Sequence, residues 1–196
     1  MSPIRLNSNS ASLIDHIIAF ICYIIMSRFL FVFVLAVSII MSWAAGDAVA
    51  AQKEYLSSVA AKEGAIELKS GMVVEILKKS TNSGAKSPTA RDSCDCTYLG
   101  TFMDGSRFDG GTTAFAPNQV IKGWTEAMQY MTEGDKWKLH IPYELAYGER
   151  GRPPKIPPKS PLVFEIEIHK VKSGGKSAEE AHTMFAAGQV DKTKDL

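Results

Sequence analysis

Two short stretches of strict alternation, separated by a run holding five of the nine prolines, constrain this 196-residue chain more than any other feature. In Lys136–Ile141, Trp137, Leu139 and Ile141 point one way and Lys136, Lys138 and His140 the other. Phe164, Ile166 and Ile168 alternate in the same way with Glu165, Glu167 and His169. A period of two with one apolar face marks strands that are buried on one side and wet on the other, the habit of antiparallel sheets. Between them lies GERGRPPKIPPKSP, residues 148–161. Prolines at this density exclude helix and central strand and hold the backbone extended. Such a segment is either a stiff loop overhanging a pocket or a plain surface linker, and Ile156, flanked by prolines, is set to project an apolar side chain.

The remaining pattern supplies the partners. Lys53 to Lys62 predicts a short helix ended near Gly64, MVVEIL after Gly71 a strand, and residues 79–91, rich in Ser, Thr, Asn, Gly and Lys, an exposed loop. Ser93 to Phe102 predicts another strand, closed by the turn Met103-Asp104-Gly105-Ser106. Val120, Trp124, Met128 and Met131 recur at helical spacing, with Gly134 where a C-terminal cap belongs. Ser177 and Glu180 form a capping box for a last helix ending near Gly188. Antiparallel strands around one central helix make an α+β fold: a curved antiparallel sheet, a half-barrel, wrapped around one short helix, with short flanking helices at either end.

The apolar residues at the start belong to a different task. Between Ala11 and Ala45 only Asp15 and Arg28 are ionised, and Phe29 to Ala45 reads FLFVFVLAVSIIMSWAA. Ala48-Val49-Ala50 then matches the A-x-A pattern of a signal-peptidase site, with cleavage before Ala51. Initiation at Met26 would make Arg28 the basic leader and Phe29 to Trp43 the apolar core, leaving Met1 as an upstream start. We therefore divide the chain into an export segment (1–50), a helical lead-in (51–70), a core domain (71–172) and a polar C-terminal stretch with a short helix (173–196). The expected location is the secretory pathway, secreted or within an endomembrane lumen, without membrane contact after processing. The alternative is an uncleaved signal anchor, since about 20 apolar residues span a bilayer. The ending Lys194-Asp195-Leu196 is similar to a retrieval signal but lacks the full K-D-E-L.

Several chemistries drop out. A net charge of +1 lacks the concentrated basic face that phosphate binding needs, so nucleic acid is not an expected partner. Gly100 to Ser106 has the spacing of a phosphate loop but Ser where Lys is required, and neither H-E-x-x-H nor G-x-S-x-G occurs. Cys94 and Cys96, two apart on one strand face, are badly placed for a mutual disulfide and lack a second ligand pair for a metal, so both are expected to be buried thiols. No metal, nucleotide or other cofactor is expected.

Six blocks then follow in order: Tyr98-Leu99-Gly100; Asp104-Gly105 with Phe108-Asp109; Val120-Ile121-Lys122-Gly123-Trp124; Ala146-Tyr147-Gly148; Ile156-Pro157-Pro158; and Leu162-Val163-Phe164. Together they resemble the FKBP-type peptidyl-prolyl cis/trans isomerases over about Gly71 to Lys172. Glu54-Tyr55-Leu56 and Ala61-Lys62-Glu63-Gly64 resemble the approach to this domain in exported macrophage-infectivity-potentiator proteins. The resemblance implies isomerisation of X-Pro bonds in proline-containing peptides and proteins, and a pocket sensitive to tacrolimus- and rapamycin-type macrolides. It assigns Trp124 to the pocket floor, Tyr98, Phe108, Val120, Ile121 and Phe164 to its walls, and Ile156 to its loop side. The Ile121 backbone N–H would hold a substrate carbonyl and the Tyr147 hydroxyl would donate a second hydrogen bond, with the Asp109 carboxylate beside the twisting amide. Because the lead-in helix is short, a monomer is expected.

Taken singly, each of these residues has an ordinary structural role as core aromatic, loop anchor or turn residue. The chain also departs from the family pattern. The connection from Asp109 to Val120 is short and carries no arginine for Asp109, and Phe115 stands where another aromatic wall is expected. Arg152 and Lys155 replace commoner loop residues and, with Arg150 and Lys159, make the rim basic, which is either a preference for acidic flanks in the substrate or solvated charge without effect. A secreted peptide-binding module with little turnover is the competing function.

Overall fold

The computed structural model describes residues 48–190. The export segment as far as Asp47, with its alternative starts and anchor, and the Lys194-Asp195-Leu196 ending lie outside the described residues. A first helix, α1 (48–60), is followed by β1 (Ala65–Glu67), β2 (Val73–Lys78), β3 (Lys86–Ser87), β4 (Cys94–Thr101) and β5 (Arg107–Phe115). After a 3-10 turn at Pro117–Gln119 come α2 (Lys122–Met128), β6 (Lys136–Ile141), two further 3-10 turns, β7 (Leu162–Val171), β8 (Lys176–Ser177) and α3 (Ala178–Gly188).

The sheet is six-stranded and antiparallel, in the order β1-β2-β6-β7-β4-β5. The two alternating segments pair directly, Trp137 opposite Ile166 and Leu139 opposite Phe164, so their apolar faces coincide. Against that face lies α2, which contributes Trp124, Ala127 and Met128 to a core shared with Met131, Leu139, Ile141, Ile166 and Ile168. A Cβ on Gly123 would lie 2.6 Å from Ile141 Cγ2, so the missing side chain is what lets the helix settle this close to β6. Cys94 and Cys96 face the same core, and burial, first among the causes, pushes both thiols up to about 12. At the other end, Ser177 Oγ accepts from the Glu180 N–H to start α3, and Phe185 of α3 packs on Trp137 with ring centroids 4.8 Å apart.

Three expectations need correction. Val120 is extended, not helical; α2 begins after it, and Met131 follows its end. The helical spacing continued across a 3-10 turn and a tight turn because core-facing residues recur there too. Gly134, at φ +92°, serves the Thr132–Asp135 turn into β6, not the helix end. His140 is not on a wet face: it is 2% exposed, covered by α1, whose Tyr55 hydroxyl lies 2.7 Å from its Nδ1. Glu75 Oε1 of β2 lies 2.7 Å from the other ring nitrogen. The first part of the connection 109–120 belongs to β5, whose glycines and threonines give no apolar alternation.

Candidate active site

Residues of β4, β5 and β7 and the start of α2 enclose a cleft of about 440 Å³. Its centre is Trp124, 3% exposed. Phe164 from β7, Tyr98 from β4 and Phe115 from β5 meet it edge to face, at centroid distances of 5.1, 5.3 and 5.5 Å. Phe108 in turn meets Phe164 at 5.5 Å and 89°. Aromatic pairs favour this geometry over face-to-face stacking, and the mutual locking holds the apolar walls in place. Glycine again permits the approach: a Cβ on Gly100 would lie 2.8 Å from both Phe108 Cζ and Phe164 Cε1.

Polar groups stand around this aromatic bowl. Asp109 Oδ1 accepts from the Gly110 N–H at 2.9 Å. Burial, then the charge of Asp109 and a hydrogen bond to it, raise the pKa of Tyr98, so its phenol stays protonated and faces that carboxylate. The expected lack of a partner arginine has a specific form: Arg107, just outside the segment, donates to the backbone carbonyls of Asp109 and Gly110 at 3.2 Å. No ion pair among the described residues includes Asp109, so its carboxylate is anchored by its own turn. At the start of α2, the Ile121 backbone N–H makes no hydrogen bond among the described residues. Across the cleft, the Tyr147 hydroxyl accepts from Arg152 Nη1 at 3.4 Å and keeps its own proton available.

The structure thus brings together Tyr98, Phe108, Asp109, Phe115, Val120, Ile121, Trp124, Tyr147, Arg152 and Phe164, adding Gln119. Two expected residues lie elsewhere. Ile156 does not line the cleft; it is 3% exposed and packs beneath the proline-rich loop into the core, as the pin on which the loop rests. Lys155 is exposed on the same loop, outside the cleft lining. Sequence reasoning missed Gln119 and Arg107, although each adjoins one of the recognised blocks. An aromatic bowl with two free donors and a carboxylate can bind and orient a small apolar ring with its flanking carbonyls. It has no paired base and nucleophile for covalent chemistry.

The family described as FKBP-type peptidyl-prolyl cis-trans isomerase matches residues 84–169. The chain is 43% identical over 145 residues to the macrophage infectivity potentiator of Trypanosoma cruzi, across 70% of this chain and 73% of that one. It is 42% identical over 123 residues to the peptidyl-prolyl cis-trans isomerase FKBP2 of Mus musculus, covering 86% of that protein. It is 41% identical over 143 residues to FkpA of Aeromonas hydrophila, of which it spans 52%. Among solved structures, a peptidyl-prolyl cis-trans isomerase of Pseudomonas syringae aligns with a TM-score of 0.61 at 36% identity, over 65% of this chain and 96% of that one. FkpA of Escherichia coli aligns with a TM-score of 0.62 at 31% identity, over 89% and 75%.

Proposed function

This chain belongs to the family of FKBP-type peptidyl-prolyl cis-trans isomerases and is an isomerase of X-Pro bonds, and from that premise we propose that the cleft over Trp124 is where the bond turns. The observation that carries the proposal is the bowl of edge-on aromatic rings around Trp124, rimmed by hydrogen-bond donors without protein acceptors.

Turning a peptide bond means passing through a state without amide resonance, over a barrier of about 18–20 kcal/mol. Unaided, an X-Pro bond takes tens to hundreds of seconds. No bond is made or broken, so the enzyme needs only to bind the twisted amide more tightly than the planar one, and each ~1.4 kcal/mol of difference is tenfold in rate. In this cleft the proline ring rests on Trp124, within walls formed by Tyr98, Phe108, Phe115, Val120 and Phe164. Desolvation there disfavours the planar amide, the more polar form. The Ile121 N–H takes a substrate carbonyl and holds the backbone while the bond rotates. The Tyr147 hydroxyl donates a second hydrogen bond, and Asp109 presents its carboxylate beside the twisting amide, held in place by the Gly110 N–H and the Tyr98 phenol.

The clients are proline-containing segments met along an export route, and the working form is a monomer released from its leader. A cut before Ala51 would be compatible with this reading, because Gln52, Tyr55 and Val59 of α1 would stay in place against the body of the domain. No helix among the described residues is long and apolar enough to cross a membrane. The cleft also suits macrolides of the tacrolimus type. Added to a Leu-Pro peptide relaxing from a cis-enriched solution, the full chain is expected to accelerate the relaxation, and a tacrolimus-type macrolide to abolish that acceleration at one molecule per chain. Acceleration that persists under saturating macrolide would put turnover outside this cleft.

A further inference from the structure

Only two charged side chains line the cleft, and they are of opposite sign: Asp109 on β5 and Arg152 on the loop between β6 and β7. Their situations differ. Asp109 is engaged by the Gly110 N–H and by Tyr98. Among the described residues, the Arg152 side chain has its hydrogen bond to Tyr147 alone, a long 3.4 Å contact with the hydroxyl, and its guanidinium carbon lies 5.7 Å from the ring centroid. No ion pair among the described residues includes Arg152, whereas the neighbouring Lys159 is taken by Glu149 at 3.5 Å. Arg150 and Lys155 are exposed on the loop and do not line the cleft.

The base of Arg152 is fixed although its tip is uncommitted. Its N–H donates to the Ile156 carbonyl at 2.8 Å, and the Ile156 N–H returns to its carbonyl at 3.0 Å. Ile156 is itself sunk in the core, and Gly151, at φ +64°, packs against the carbonyls of Ile156 and Pro157 where any side chain would collide. A planar guanidinium fork held at a known place and lacking an acid is a ready partner for a carboxylate, which it can grip through two parallel hydrogen bonds.

We infer that Arg152 makes this isomerase selective for prolines flanked by an acidic residue, the carboxylate of the client completing the ion pair that the fold leaves open beside Tyr147. The inference rests on the reading of the cleft as the isomerase site. Because Arg152 is solvent-exposed, the selectivity is modest, about two- to fivefold in kcat/KM. A basic flanking residue meets the same guanidinium and is disfavoured.

The test compares peptides that differ only as Glu against Gln, one pair immediately before the proline and one immediately after it, with the full chain as enzyme. Glu and Gln have the same length and shape, so the ratio isolates charge. The expected result is a Glu-to-Gln ratio of about two to five at low salt in at least one pair, falling towards one at 1 M NaCl as screening shortens to a few ångströms. Arg152→Gln is expected to bring the ratio to one, and Arg152→Lys to keep part of it. A wild-type ratio of one in both pairs, or a ratio that survives Arg152→Gln, would overturn the inference. Turnover of the Gln peptides reports separately on the isomerase reading and on the folding of each variant. A failure of that reading therefore shows as no turnover at all.

Discussion

Gly100 sits on β4 where any side chain would press on two walls of the cleft at once, Phe108 and Phe164. Neither ring can retreat freely, because Phe164 is locked edge-on against Trp124 and Phe108 against Phe164. Gly100→Ala is therefore expected to cost about 1–3 kcal/mol of stability through overpacking. It should also lower kcat/KM by more than the loss of folded protein explains. Denaturant titration and peptide kinetics on one preparation check both; a variant with unchanged kinetics would show that the rings need not hold this arrangement. At this scale much of the site was legible from the sequence, since Tyr98, Phe108, Asp109, Ile121, Trp124, Tyr147 and Phe164 all lie within recognisable blocks. Ile156 was legible as apolar but not as buried, because a proline-flanked side chain looks the same whether it points into a pocket or under a loop. Arg107 escaped notice because its partners are backbone carbonyls, which leave no trace in residue identity.

Among the elements, α1 carries the clearest prediction. It closes over His140 through Tyr55, and burial lowers the pKa of the imidazole, with Lys138 and Lys62 adding to the effect and Glu75 opposing it. A neutral His140 donates to Glu75 and accepts from Tyr55, which satisfies all three groups. The folded chain then binds fewer protons than the unfolded one between that lowered pKa and the ordinary 6.5. Stability should accordingly rise with pH through that window and level off above it. His140→Gln should flatten the rise, as read from denaturant unfolding across the window; a slope unchanged in the variant would assign the pH dependence to other groups. The alternation of Lys136–Ile141 gave the strand and its phase correctly. It could not reveal that a helix about 80 residues upstream covers one end of the polar face. The extent of α2 was blurred for a related reason, since core-facing residues on either side of a short helix continue its spacing.

At the scale of the described domain, the packing of one sheet face against α2 is what joins fold and function. The sheet is covered on one face by α2, Phe185 of α3 packs on Trp137, and aromatic residues of three strands converge on Trp124. The α+β class and the half-barrel were legible from two alternating strands and one helix, whereas the strand order was not, because β1 and β5 are edge strands of low apolar content. The central claim, that this cleft is the catalytic site, is tested most directly by the kcat/KM of X-Pro isomerisation in the full chain against Tyr147→Phe and Asp109→Ala, with unfolding measured alongside. Removing a hydrogen bond made to the turning amide should lower kcat/KM about three- to tenfold for Tyr147→Phe at unchanged stability. Asp109→Ala should also lower it. Full wild-type activity in both variants would contradict the account and move the chemistry away from Trp124.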